Sequence, residues 1–316
     1  MDLKSFFALV EIRTKLASTI PCITGTLYAL RHFQNFSALK FALFFVSLFS
    51  IDMFTTALNN YRDFKLAYRK SGYNYELHNI IARKNLKEYS VLAVLVLLFT
   101  AAATSGIILV FKTNIIVLLV GAISFLVGIF YSSGPVPISR TPFGEAFSGF
   151  FMGFVILFLS IYIHLNNPEI ISVRLKNSFL SLQINYVQIL YIFLLSLPYV
   201  LCIANIMLAN NICDLEEDKE NRRYTLPVYI GKRSSLILFK LIYLAAYADI
   251  IFLSVSGLVP VLCLFALLTL VLAYKNIKLF NKIQTKKDTF VLSVKNFVFI
   301  CGSLTLLFFT GWVLKI

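Results

Sequence analysis

Residues 189–218 read ILYIFLLSLPYVLCIANIMLANNICDLEED. An apolar stretch of bilayer-crossing length, roughly 20 residues, runs straight into Asn210-Asn211-Ile212-Cys213-Asp214 and then Glu216, Glu217 and Asp218. The pattern occurs a second time, where the apolar residues from 38 onward end in Asn59-Asn60-Tyr61-Arg62-Asp63. The chain has only 15 acidic residues, and six of them (Asp63, Asp214, Glu216, Glu217, Asp218 and Glu220) lie in these two places. Carboxylates are costly at the ends of membrane helices, so their concentration marks a polar site, most simply one for a cation. The two segments are expected to open charged loops after the apolar runs.

The surrounding composition fits that reading. Of 316 residues, 59% are hydrophobic and 14% charged, against about 25% charged in soluble domains, and the mean hydropathy is +0.82. Alternating strand patterns are absent, so the expected class is all-α: a single polytopic membrane domain, residues 1–316, with a bundle of about nine spanning helices. The expected spans are 16–31, 38–60, 90–111, 114–132, 143–165, 186–210, 235–256, 258–274 and 296–314. The amphipathic start Phe6-Phe7-Ala8-Leu9-Val10 is expected on the membrane surface, and the charged residues before the first span argue against a cleaved signal peptide. The net charge of +14 does not point to nucleic acid, because the basic residues sit in short loops. With the N-terminus inside, 22 Lys and Arg fall on the inner side and six on the outer, which places both acidic segments at the cytoplasmic face. The five cysteines lack metal-ligand spacing and the three histidines are dispersed, so neither disulfides nor a zinc site is expected.

Asn211, Asp214 and Asp218 are spaced i, i+3, i+7 and stack on one helical face. Two carboxylates and an amide oxygen form a hard donor set of the kind Mg²⁺ prefers, completed by water and phosphate oxygens. Lys219, Arg222 and Arg223 follow, and guanidinium groups beside metal-binding carboxylates suit a diphosphate. A solvated loop with helix-capping residues is the plainer alternative. In the first segment Asp52, Asn59 and Asp63 again share a face, with Lys65, Arg69 and Lys70 beyond; Asp52 could equally be a structural partner for a neighbouring helix. A third segment, Tyr131-Ser132-Ser133-Gly134-Pro135-Val136-Pro137, leads through Arg140 to Pro142-Phe143-Gly144-Glu145. It breaks a helix and falls on the same side. The motif repeat, 151 residues apart, hints at duplication, though little else matches.

Together these segments resemble the UbiA-type intramembrane prenyltransferases, which carry two Asp-rich motifs after helices two and six of a nine-helix bundle. Tyr131-x-x-Gly134-Pro135-x-Pro137 with Pro142-x-Gly144-Glu145, and Asn210-Asn211-x-x-Asp214-x-x-x-Asp218 continuing to Arg223 and Thr225-Leu226, look like the branch acting on 1,4-dihydroxy-2-naphthoate. Glu11-Ile12-Arg13-Thr14 also resembles that family's opening. The resemblance implies Mg²⁺-dependent transfer of a polyprenyl group from its diphosphate to an aromatic acid in menaquinone biosynthesis. The acceptor loses its carboxylate in that branch. It further implies a bacterial plasma-membrane protein with its active site facing the cytoplasm, and no nucleic-acid partner. By this reading Asp63, Asp214, Asp218 and Tyr131 are catalytic, Asn211, Asp214, Asp218 and Asp63 hold the metal, and Asn59, Asn60, Lys65, Arg140 and Arg223 bind substrate. The sequence departs from the family where Asn60 stands in place of an Asp and Arg69 near a further expected one.

Transfer to 4-hydroxybenzoate or haem is the alternative within the class, against which the Gly-Pro loop argues. A secondary transporter using Asp52 and Asp249 is the alternative outside it. Its polar residues would sit at the bilayer midplane, whereas these gather at one face.

Overall fold

Inside lipid every backbone N–H and C=O must be paired within its own segment, so bilayer-length apolar runs fold as helices. The structure is a computed structural model that describes residues 1–66, 79–165, 170–176 and 179–314. Among these, eight helices are long and apolar enough to cross a membrane. In chain order the elements are α1 (Leu3–Leu9), α2 (Leu16–Tyr28), α3 (Ala38–Leu66), α4 (Ile80–Arg83), α5 (Glu88–Lys112), α6 (Ile115–Ser132), α7 (Gly144–Tyr162), a hairpin of β1 (Ile171–Lys176) and β2 (Phe179–Ile184), α8 (Tyr186–Cys213), α9 (Leu215–Glu220), α10 (Leu226–Val255), α11 (Val261–Lys282) and α12 (Phe290–Val313). The eight spans are α3, α5, α6, α7, α8, α10, α11 and α12. The first expected span, 16–31, is not among the eight: α2 is a shorter helix with Pro21 inside it, prolonged by a π turn from Ala29 to Phe33.

The all-α expectation holds, with three local corrections. Both Asn-Asn-x-x-Asp segments are helical rather than loop: α3 runs on to Leu66, and α8 reaches Cys213 with Asp214 capping it. The helix expected from 235 begins at Leu226 with Pro227 in its first turn, where a missing N–H costs nothing, and bends at Gly231 (φ 77). The connection after α7 contains antiparallel strands pairing Ile171 with Ile184 and Lys176 with Phe179. Their alternation (Ile171, Val173 and Leu175 against Ser172, Arg174 and Lys176) is only six residues long and is easily lost between spans. Arg69, Lys70 and His78 lie outside the described residues.

The core centres on α8, which packs against α7, α10 and α12, while α3 packs on α5 and α6. Close approach of α7 to α8 depends on Gly149 and Gly153. A Cβ on Gly153 would stand 2.6 Å from the Val200 backbone nitrogen and Cα, the small-residue contact by which membrane helices associate. The N-terminal segment is tied down by charge: Lys15 Nζ lies 2.6 Å from Asp52 Oδ1 and also donates to the Asp52 carbonyl and Thr56 Oγ1, while Ser18 donates to Asp52 Oδ2. Asp52 is therefore a structural partner bridging α2 and α3, and both charges are almost fully covered.

Removing one member of such a pair strands the other in a low-dielectric setting. Asp52→Ala is expected to cost about 3–5 kcal/mol, seen as a lowered unfolding temperature in detergent, and the paired change Lys15→Met with Asp52→Leu should recover most of it. Equal stability of Asp52→Ala and the parent would refute this account of the pair.

Candidate functional site

One face of α3 supplies the wall of a large cavity. Phe44, Ser47, Leu48, Ile51, Asp52, Thr55, Thr56, Asn59, Asn60 and Asp63 all line it, the three-and-four spacing of a single helical face. From Phe44 to Asp63 that face runs roughly 29 Å along the axis at 1.5 Å per residue, close to the hydrocarbon thickness of a bilayer. It grades from apolar to polar as it goes. The cavity measures about 1520 Å³ and is completed by residues of α5, α6, α7, α8 and the turn between α11 and α12. Small-molecule sites usually span ~300–1,000 Å³, so this one has room for a long ligand.

At the polar end the two motif segments meet. The α9 helix ends in a Schellman motif: the Arg223 N–H bonds the Asp218 carbonyl (2.8 Å), the Arg222 N–H bonds the Lys219 carbonyl (3.3 Å), and Arg222 is left-handed at φ 54. This geometry folds the residue after the left-handed position back over the third-last helical residue. Here those residues are Arg223 and Asp218, so the usual apolar contact is replaced by an ion pair, Nε to Oδ1 at 3.2 Å, without hydrogen-bond alignment. The same guanidinium reaches Asp63 of α3, Nη1 to Oδ2 at 3.8 Å. Arg140, from the Gly-Pro segment, approaches Asp63 from another side at 3.6 Å, and its carbonyl accepts the Tyr224 N–H. Asp214 is met by Lys286 Nζ at 2.5 Å.

Burial pushes the Asp218 carboxyl up to about 7; Asp214 adds to the rise, and Arg223 and the Thr225 hydroxyl oppose it. Burial alone would lower Arg223, but Asp63, Asp218 and Asp214 outweigh it and hold the guanidinium above its ordinary value. Lys286 behaves alike, its burial outweighed mainly by Asp214.

The remaining expected residues are placed as follows. Asn59 lines the cavity and donates to Asp63 Oδ2. Asn60 lines it as well, but its amide donates to the Leu9 carbonyl at 3.0 Å. Tyr131 lines it with its hydroxyl toward the Gly144 carbonyl. Asn211 is buried and donates to Glu145 Oε1 at 2.9 Å. Neither Asn211 nor Asp218 lines the cavity: Asn211, still on α8, turns to Glu145 of α7, and the helix breaks at Asp214 (φ −94, ψ 6) before Asp218, so the expected straight face is interrupted. Lys65 is a correction: its ammonium is taken by Glu88 at 2.6 Å, and it lies outside the cavity lining. Two residues were missed. Glu145 braces Asn211, and its Oε2 has no hydrogen-bond partner among the described residues; a carboxylate at the first turn of an apolar span was its signal. Lys286 counted only as one basic loop residue among several.

Among the described residues no three carboxylate, histidine or cysteine side chains close on one point. Carboxylates facing an open, cation-lined mouth fit Mg²⁺, which is commonly held by one or two carboxylates plus substrate phosphates rather than by an all-protein cage.

Residues 18–312 match the UbiA prenyltransferase family. The chain is 28% identical over 249 residues to 1,4-dihydroxy-2-naphthoate octaprenyltransferase of Bacillus subtilis (strain 168), over 79% of this chain and 73% of that protein. It superposes on a UbiA homologue from Aeropyrum pernix K1 with a TM-score of 0.64 at 15% identity, covering 91% of this chain and 97% of that one. A UbiA homologue from Archaeoglobus fulgidus bound to DMAPP and Mg²⁺ gives a TM-score of 0.63 at 12% identity, covering 98% and 99%. The segments that resembled the family are thus set in its fold, and the chain belongs to the UbiA prenyltransferase family as a membrane prenyltransferase.

Proposed function

We propose that this chain transfers a polyprenyl group from polyprenyl diphosphate to 1,4-dihydroxy-2-naphthoate at the cytoplasmic face of a bacterial plasma membrane, in menaquinone biosynthesis, with Mg²⁺ as cofactor. The observation that carries the reading is the Arg223 guanidinium between Asp63 and Asp218, which joins the two motif segments at the polar end of a span-length apolar cavity. The relative named above acts on the same acceptor by its name.

In this reading Asp63 and Asp214 hold Mg²⁺ at the cavity mouth, with Asp218 and Asn211 behind them. When bound, Mg²⁺ neutralises charge on the departing diphosphate. Arg223 and Arg140 donate to the same group, fixed there by their carboxylates before the reaction begins, so little reorganisation accompanies charge development. The allylic C–O bond breaks with its electron pair going to the diphosphate. The carbocation left behind is sheltered by aromatic residues of the lining nearer the polar end, Phe147 and Phe151 with Phe99 deeper, which exclude water and offer aromatic faces. Tyr131 stands on the rim between the polar and apolar zones. The naphthoate ring supplies the electron pair for the new C–C bond, and loss of its carboxylate as CO₂ returns electrons to the ring. The isoprenoid tail lies along the apolar half of the α3 face.

Detergent-purified protein supplied with Mg²⁺, a polyprenyl diphosphate and a panel of aromatic acids should yield a prenylated naphthoquinol. Asp63→Ala and Asp214→Ala should each lower turnover by about 10²–10³, the scale for one lost electrostatic stabiliser. Diphosphate release only with 4-hydroxybenzoate would redirect the acceptor, and none with any acid would end the reading. The Asp218 carboxyl, held up near 7, must be ionised to help bind metal. Mg²⁺ affinity should therefore weaken as pH falls from 8 to 6, by up to about tenfold per unit below that value. A flat profile in titration calorimetry would exclude Asp218 as a contributor.

A further inference from the structure

The cations at the polar end are not held alike. Arg223 is gripped by Asp63 and Asp218 and by its own backbone in the Schellman turn. Lys286 reaches the site from the turn between α11 and α12, which lies outside both acidic motifs. Its ammonium is paired with Asp214 Oδ2.

The backbone beneath Lys286 is knit by its own side chains. The Thr285 N–H donates to Thr289 Oγ1 (2.9 Å), Thr289 Oγ1 donates to the Thr285 carbonyl (3.1 Å), Thr285 Oγ1 donates to Asp288 Oδ2 (3.2 Å), and the Phe290 N–H bonds the Thr285 carbonyl (3.0 Å). Gln284 ties the preceding residues to the Phe280 carbonyl. The turn is fixed, so the movable part is the four-carbon Lys286 stem, a flexible carrier for a point charge. Lys286 and Asp214 both line the cavity, and Asp214 is 6% exposed.

We propose that Lys286 is an exchangeable counter-charge: it neutralises Asp214 in the ligand-free protein, and when a divalent cation takes that carboxylate it moves to the diphosphate. The proposal rests on the prenyl-transfer reading and adds to it a diphosphate-binding residue outside the two motifs. A buried carboxylate left without a partner is costly, so some cation must stand beside Asp214 before metal arrives. The same ammonium competes with metal, then binds the anion that metal brings. An ordinary structural ion pair would not link these two effects with opposite signs.

The test is titration calorimetry on the full chain in detergent, first with Mg²⁺ alone and then with inorganic diphosphate at saturating Mg²⁺. Lys286→Met should bind Mg²⁺ alone several-fold more tightly and Mg²⁺-diphosphate about tenfold more weakly, the worth of one charged hydrogen bond. Lys286→Gln keeps a donor for Asp214 and guards against a folding defect; it should show the same two signs at smaller size. If wild type binds both ligands and the two affinities in the variants stay unchanged or fall together, the exchange is overturned while prenyl transfer stands. If wild type binds neither, both readings fall.

Discussion

A single guanidinium sets the geometry on which the rest depends. Arg223 stands between Asp63 of α3 and Asp218 of α9, residues 155 positions apart in the chain. Asp218 is almost fully buried and would be costly there without a partner, while Asp63, about a third exposed at the cavity mouth, offers the second carboxylate to the same cation. Bridging both with one planar cation, with Arg140 as a second positive charge on Asp63, ties the ends of α3 and α9 together beside the cavity. The geometry of the proposed diphosphate site thus follows from pairing charge at the cavity mouth, before any substrate is considered.

Much of this was legible in the sequence. The apolar runs, the acidic residues at two of their ends and the Gly-Pro break located the polar face and its components. Helix ends were less legible, since hydropathy falls off where Asn59, Asn60 and Asp63 begin, whereas α3 continues to Leu66. A helix that turns its polar end into a cavity looks, by composition, like a loop. The fate of individual cations was not legible either. Lys65, Arg140, Arg223 and Lys286 are equivalent in a charge count; only packing decides that Lys65 turns to Glu88 while Lys286 turns to Asp214. The Arg222–Arg223 turn hid for a different reason: its left-handed position carries Arg where Gly is usual.

Asp52 shows how a buried acid can serve architecture beside chemistry. It shares the cavity-lining face with Asp63, yet both of its carboxylate oxygens are engaged, one by Lys15 and the other by Ser18. The transporter reading needed such a carboxylate to be free for ions near midplane. Saturated as it is, Asp52 anchors the N-terminal segment against α3, and the groups proposed to meet a diphosphate lie further along the same face, at Asn59 and Asp63.

The departure at Asn60 follows from the same anchoring. Its amide nitrogen lies 3.0 Å from the Leu9 carbonyl and 3.5 Å from Glu11 Oε1. Both are acceptors, and an ionised carboxylate at this position has no proton to offer either. An Asp would set oxygen against oxygen and release the segment carrying Glu11, Thr14 and Lys15, all of which border the cavity. Asparagine therefore trades a prospective metal ligand for a tie between α1 and α3. Asp63 is then left as the carboxylate of the first motif that faces Arg140 and Arg223, and in the proposed metal site it would be joined by Asp214, which lines the same cavity.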